Sequence, residues 1–314
     1  MNGNTKRQVI VWFCYFCNMK ISGFTFVRNA VKYDYPIVES IRSLLPLVDE
    51  YIVCAGNSED DTLRLLESIN SPKIKIIHSV WDDNLREGGK VLAVETDKAK
   101  AAAAKDSDWL FYLQGDECIH EKDYDTLRKT MQRYKDDPGV EGLLFPYHHF
   151  YGSYNYIGDS RRWYSYEIRV IRNHPDIHSW KDAQGFRKNA EKLHVKPVDA
   201  HIYHYGWVKN PQLQKAKQMD FGKLWMSDDE VVKKHQAYLQ AHKNGFLYKE
   251  EVDSLQLFKE EHPLVMKKRI DAADWDFEFD VNKKQFRDFK SRLLYAVEKT
   301  TGIRPFEYRN YKRI

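Results

Sequence analysis

Two adjacent acids, Asp116 and Glu117, follow a short apolar run at 109–113 within the stretch 106–120, DSDWLFYLQGDECIH. A run this short and this aromatic reads as a strand buried on both faces. In open α/β sheets ligands gather beyond the carboxyl ends of the strands, where Gln114-Gly115-Asp116-Glu117 falls. Carboxylates pressed against aromatic surface need a partner, and a divalent cation shared with substrate phosphates supplies one. The plain alternative is that both acids open a helix expected near 123–135. Cys14-x-x-Cys17 is a second pattern able to do chemistry, redox or metal, but no second ligand pair accompanies it.

The elements that must position these acids can be taken in order. Ile21–Val27 reads as a first strand, and Pro36 suits the first residue of a helix. Ile37, Ile41, Leu44, Leu45 and Val48 then recur at helical spacing. Residues 51–54 form a second strand closed by Ala55-Gly56-Asn57, with Ser58 placed to cap the next helix. A third strand spans 73–78, an alanine-rich helix follows Gly88-Gly89, and 109–113 is the fourth strand. Strands and helices alternating over roughly a hundred residues imply right-handed parallel crossovers and a Rossmann-like half. Neither GxGxxG nor a Walker A sequence follows the first strand, which disfavours a dinucleotide cofactor. Beyond Pro138-Gly139 the pattern changes. Residues 142–150, 167–172 and 201–205 read as strands, with a polar aromatic loop between the first two. From Pro211 the chain reads as mainly helical, ending in a basic tail, RPFEYRNYKRI.

With 314 residues the chain can bury a sizeable core, and 42% hydrophobic against 31% charged residues is a globular balance. Aromatics make up 14%, many of them between 145 and 205, where they either pack a core or line a pocket for sugar-like ligands. The net charge of +4, without an arginine- or lysine-rich face, argues against nucleic acid as a partner. Cys54 and Cys118 read as reduced, buried small hydrophobes of a cytoplasmic protein. The apolar run near 9–17 is too short to span a bilayer, and the fold is expected to begin at Met19. The basic tail is either a solvated terminus or a peripheral contact with anionic lipid headgroups.

Four segments, in order and spacing, resemble a family 2-type glycosyltransferase of the GT-A fold from about Met19 to Lys217. Val27-Arg28-Asn29-Ala30 matches the family's V-R-N-E-like turn, and 55–62, AGNSEDDT, its D-x-G-S-T-D-G-T-like turn. Gln114-Gly115-Asp116-Glu117 matches D-x-D-E, and His204-Tyr205-Gly206-Trp207 an H-x-G-like strand end. Ala30, Ala55 and Gln114 depart from the pattern, each where the family carries an acid. The loss at Ala55 bears on which nucleotide is bound, and Gln114 can still hydrogen-bond hydroxyls.

The resemblance implies an α/β, Rossmann-like GT-A three-layer fold with a mixed sheet and a helical C-terminal extension. Residues 1–18 are then a leader or upstream start. Residues 19–207 are the transferase domain (19–117 nucleotide-binding half, 118–207 acceptor half), and 208–314 the extension. It implies a metal-dependent glycosyltransferase, inverting, taking a nucleotide-sugar donor and a glycan or lipid-linked acceptor in cell-surface polysaccharide synthesis. Asp116 and His204 would hold Mn2+ or Mg2+, manganese tolerating imidazole better; a strand-end histidine bonded to backbone is the alternative for His204. Val27, Arg28, Asn29, Gly56, Lys90, Gln114 and Gly115 would bind the donor, Lys90 being otherwise a solvated helix lysine. Trp163 and Trp180 would bind the acceptor. Asp182, in the 178–182 segment HSWKD, is the expected general base, with Glu117 and Asp159 as runners-up and a surface turn as its alternative. A catalytically silent nucleotide- or glycan-binding protein and a nucleotidyltransferase are the competing readings.

Overall fold

The computed structural model describes residues 19–82, 84–85, 87–222, 229–230, 233 and 252–314. The expected leader, with Cys14 and Cys17, lies outside the described residues. The chain runs β1 (Ile21–Val27), α1 (Ile37–Leu44), β2 (Glu50–Gly56), α2 (Thr62–Glu67), β3 (Ile74–Ser79), α3 (Lys90–Ala101), β4 (Trp109–Tyr112), β5 (Glu117–Ile119) and α4 (Tyr124–Tyr134). It continues through β6 (Gly142–Tyr151), β7 (Ser153–Gly158), β8 (Tyr166–Arg172), β9 (Ile177–Trp180), β10 (Gly185–Lys188), β11 (Glu191–Lys192), β12 (His194–Pro197) and β13 (Ile202–Trp207). The extension carries α5 (Pro211–Gly222), β14 (Leu255–Leu257), further helices at Lys267–Asp271 and Phe289–Thr301, and β15 (Lys312–Arg313).

β1 to β4 are mutually parallel in the order β3-β2-β1-β4, after which β8 and β6 join antiparallel. This is a mixed sheet with a topological switch point between β1 and β4, where ligands bind in open α/β sheets. α1, α2 and α4 bury Ile37, Ile41, Leu66, Leu127 and Met131 on one face. α3 and the small sheet β9-β10-β11 bury Val91, Leu92, Ala99, Ile177 and Phe186 on the other. β4 therefore lies between two apolar layers, and all four of its residues are buried. The result is the three-layer Rossmann-like GT-A architecture.

Three segments differ from expectation. The loop expected between 150 and 167 holds β7, and the stretch before 201 holds β9 to β12, all too short to show a clear alternation. The extension is not purely helical, since β14 pairs with β7 and β15 with β12. The basic tail is not a free terminus either. Arg304 is held against Glu298 and Glu307, and Tyr311 is 7% exposed in the core. Among the described residues no helix is long and apolar enough to cross a membrane.

One buried ion pair ties the turn after β4 to the rest of the sheet. Glu117 and Arg169 of β8 are both fully buried, with Arg169 Nε 2.8 Å from Oε2 and Nη2 2.7 Å from Oε1. Tyr147 of β6 donates its hydroxyl to Glu117 Oε1 at 2.8 Å, and Arg169 Nη1 donates to the Gln184 carbonyl at 2.7 Å. Removing one partner leaves a charge in a dry interior. Arg169→Met should therefore cost about 3–5 kcal/mol in urea unfolding. Adding Glu117→Gln should recover part of that loss. A cost below about 1 kcal/mol for Arg169→Met would show the pair to be incidental.

Candidate active site at the ends of the central strands

β5 runs antiparallel to β13 with Glu117 opposite His204, so the turn after β4 delivers Asp116 to the same place. Tyr205 N donates to the Asp116 carbonyl at 2.8 Å and fixes that register. Asp116 Oδ1 lies 3.7 Å from His204 Nε2, both side chains being largely buried. Gly206 completes a cradle. A Cβ there would sit 2.7 Å from both Asp116 Oδ2 and His204 Nε2, so only glycine leaves the space between the two donors open. From α5, Lys217 Nζ approaches Asp116 Oδ2 at 3.4 Å and donates to the Gly206 carbonyl at 3.1 Å. Burial opposes ionisation of Asp116, but the Lys217 ammonium holds its carboxyl below the usual range. Lys209 is 1% exposed, donates to the Tyr33 carbonyl at 2.5 Å, and has its ammonium pushed well down by burial.

The hydrogen bonds around His204 determine its tautomer. His149 Nε2 lies 2.9 Å from the Tyr164 carbonyl, which only accepts, so Nε2 carries the proton. His149 Nδ1 is then bare and accepts from His204 Nδ1, 3.0 Å away. His204 is left with an unprotonated Nε2 turned toward Asp116. Burial lowers the affinity of both imidazoles for a second proton. An orienting partner behind a ligating imidazole is the usual support for a metal ligand. Among the described residues no three His, Cys, Asp or Glu side chains gather to hold an ion. A single carboxylate and one imidazole fit Mn2+ or Mg2+ whose remaining ligands are phosphate oxygens and water.

The expected donor residues lie at the carboxyl ends of β1, β2 and β4, with different roles. Val27 is buried in the core, so its side chain does not reach a ligand. Asn29 is a structural clamp at φ 55°: its Oδ1 accepts from Glu59 N at 2.8 Å and its N donates to Ser58 Oγ at 3.0 Å. Ser58 thus serves this clamp, and the N-terminus of α2 has no side-chain cap. Arg28 donates to the Asn57 carbonyl and lies 5.5 Å over the Trp81 ring, which packs on Gly56. Gly115 lies at the turn against Ile37, and Gln114 Nε2 reaches the Ala183 carbonyl at 3.3 Å. Lys90 stands exposed at the start of α3, and no recorded contact joins it to Asp116.

Ala183 belongs to the β9–β10 turn, so Gln114 links the Asp116 turn to Asp182. Lys181 and Ala183, on either side of Asp182, both adopt left-handed backbone, φ 54° and 62°. Non-glycine residues held this way cluster at functional sites. Burial raises the Asp182 carboxyl above its ordinary range. Asp182, Trp163 and Trp180 share a cavity of about 450 Å3. Glu167 lines it too, its carboxyl pushed up to about 8 by burial. The two runners-up for the base are corrected. Glu117 is fully consumed by Arg169, Tyr147 and Gln114 N. Asp159 is bound by Tyr295, Lys284 and Lys299 and anchors the extension. Sequence reasoning missed His149, Glu167, Lys209 and Lys217. Only the HHF run at 148–150 carried a visible signal for any of them.

No protein-family model and no curated protein matches this chain. Solved structures similar to it include TarS from S. aureus, at 18% identity and TM-score 0.39, covering 72% of this chain and 44% of that one. Another is a 4-diphosphocytidyl-2C-methyl-D-erythritolsynthase from Anaerococcus prevotii DSM 20548, at 12% identity and TM-score 0.36, covering 71% and 96%. A third is glucosyl-3-phosphoglycerate synthase from Mycobacterium tuberculosis in complex with Mn2+, uridine diphosphate and phosphoglyceric acid. That match has 18% identity and TM-score 0.29, covering 41% and 43%. The chain thus spans less than half of the TarS chain. Strand order, rather than these scores, defines the fold.

Two substitutions separate ligand from support. His149→Phe keeps a ring in place but removes the acceptor for His204 Nδ1–H. It should weaken manganese binding by about 10-fold or more in a protein that still folds, with some loss of melting temperature because the Tyr164 carbonyl and His204 Nδ1–H lose their partner. Gly206→Ala should abolish manganese binding in a folded protein, read by calorimetry. Wild-type manganese affinity in both would leave His204 a structural strand-end residue held by His149. Glu167 predicts a pH effect. Its folded affinity for protons exceeds that of a free carboxyl, so the stability it contributes is complete in acid and is lost as pH rises through about 8. Glu167→Gln should flatten the fall in urea midpoint between about pH 5 and about pH 9.

Proposed function

We propose that this chain is a metal-dependent glycosyltransferase moving a sugar, with inversion, from a nucleotide-sugar donor to a glycan or lipid-linked acceptor. The observation that supports it most is the glycine cradle between Asp116 and a His204 whose bare Nε2 faces it, at the switch point of the sheet. When bound, Mn2+ or Mg2+ neutralises charge on the departing diphosphate.

The chain's own groups do the rest. Asp116 provides the anionic oxygen and His204 Nε2 the lone pair that hold the ion. Lys217 adds positive charge where the leaving group's negative charge grows, and Lys209, whose ammonium burial disfavours, gains its charge as an anion enters. Asp182 accepts the proton of the acceptor hydroxyl. That oxygen bonds to the anomeric carbon as the bond from that carbon to the diphosphate oxygen breaks, its electron pair leaving with the diphosphate. A carboxyl raised by burial is better matched to that proton than an ordinary one.

A second reading is favoured by Lys217, whose ammonium already faces Asp116 at 3.4 Å. It would supply the charge itself and make binding metal-independent. Manganese titration in the presence of a nucleoside diphosphate, uridine diphosphate first, distinguishes the two. Asp116→Ala should abolish metal-dependent nucleotide binding under the main reading. Metal-independent nucleotide binding that is lost in Lys217→Ala would support the second. Asp182→Asn should leave donor affinity intact and lower transfer about 100-fold or more. Equal transfer by that variant would remove Asp182 from the base role.

A further inference from the structure

The cavity beside Asp182 has a wall that the sequence did not suggest. After the helix Phe289–Thr301 the chain crosses its mouth as a strap held at both ends. Arg304 fastens one end, donating from Nη2 to the carbonyls of Trp163 at 2.6 Å and Ser160 at 3.1 Å. Arg187, donating to Asn310 Oδ1 at 2.6 Å, and the β12–β15 pairing fasten the other. Between them Phe306 adopts left-handed backbone, φ 58°, with its ring 91% exposed. No ring of the described residues stacks on it. Left-handed backbone works against folding and a ring left in water contributes nothing to it, so neither is explained by stability. Tyr308 lies alongside, 69% exposed, its hydroxyl bonded by Arg187.

Across the cavity Glu167 is 7% exposed and carries an unpartnered carboxyl oxygen, Oε2. Gly185 lets that oxygen and the Asn310 amide approach the strand, since a Cβ would come within 3.1 Å of the one and 2.8 Å of the other. An orphaned buried carboxyl is costly unless a ligand completes its hydrogen bonds. Exposed aromatic faces opposite a hydroxyl-binding carboxyl suit a sugar ring, which presents C–H groups on a face and hydroxyls at its edge. An acyl chain would leave the same carboxyl stranded.

We propose that Glu167, Phe306 and Tyr308 form a saccharide-binding subsite that holds the sugar ring of the acceptor against Asp182. This deepens the transferase reading and rests on it for the acceptor's role, but the binding itself needs neither donor nor metal. The probe is a printed array of neutral and acidic oligosaccharides, exposed to the full chain without nucleotide. The wild type should retain a subset of glycans. The double variant Phe306→Gly/Tyr308→Ala and the single variant Glu167→Gln should each bind the same glycans about 10-fold less tightly or worse. Phe306→Gly alone should raise the melting temperature, because glycine relaxes the left-handed backbone, while lowering glycan binding; a purely structural residue would not do both. Absence of glycan binding by the wild type, undiminished binding by the double variant, or binding to phosphatidylglycerol vesicles in place of glycans overturns the proposal. Glycan binding that persists while calorimetry finds no nucleoside diphosphate binding would sink the transferase reading and leave the subsite.

Discussion

The pairing of Glu117 with Arg169 is the interaction on which the site depends. Asp116 precedes Glu117 by one residue, so whatever holds the glutamate holds the aspartate. The guanidinium grips both oxygens of Glu117 and also the Gln184 carbonyl, two residues beyond Asp182. One buried cation thus fixes Asp116 and Asp182 relative to each other, and Gln114 adds a second tie to the same turn. A bidentate guanidinium does this where a lysine would not, because its planar fork fixes direction as well as distance.

The charge balance around Asp116 favours an anion. Lys209 and Lys217 are buried amines beside a single buried carboxylate, and both lie over the face of Tyr35 at 4.9 Å and 4.5 Å. Backbone carbonyls soften the cost of burying Lys209, and Asp116 that of Lys217. The histidines add no charge while burial keeps them neutral. A diphosphate entering this place would meet amines already in position, and its charge would favour their protonated forms.

Much of this was legible in the sequence and some was not, for physical reasons. The four parallel strands follow from apolar runs punctuated by glycine and aspartate, and β4 between its two layers from WLFY alone. Asp116 and His204 were readable as a pair because strand ends carry them. Glu117 was misread as available because its partner is 52 residues away and nothing local announces a buried arginine. Val27 closes an apolar strand and its side chain points inward, which leaves only its backbone to face a ligand. The strands of 173–200 escaped because hairpins of two to four residues show no period. His149, Lys209 and Lys217 act through neighbours distant in sequence, so only the fold brings them into view.

The pairing of β15 with β12 also bears on how the protein acquires its shape. Asn310 and Arg187, which hold that junction, are 123 residues apart in sequence. Contacts between such distant segments form slowly, because the entropy of closing the intervening loop is lost before the contact gives anything back. The half made of β1 to β4, built from neighbouring strand–helix units, needs no such closure. During synthesis it can be in place while the mouth beside Asp182 still lacks a wall. The site around Asp116 would then be complete before the cavity beside Asp182 is.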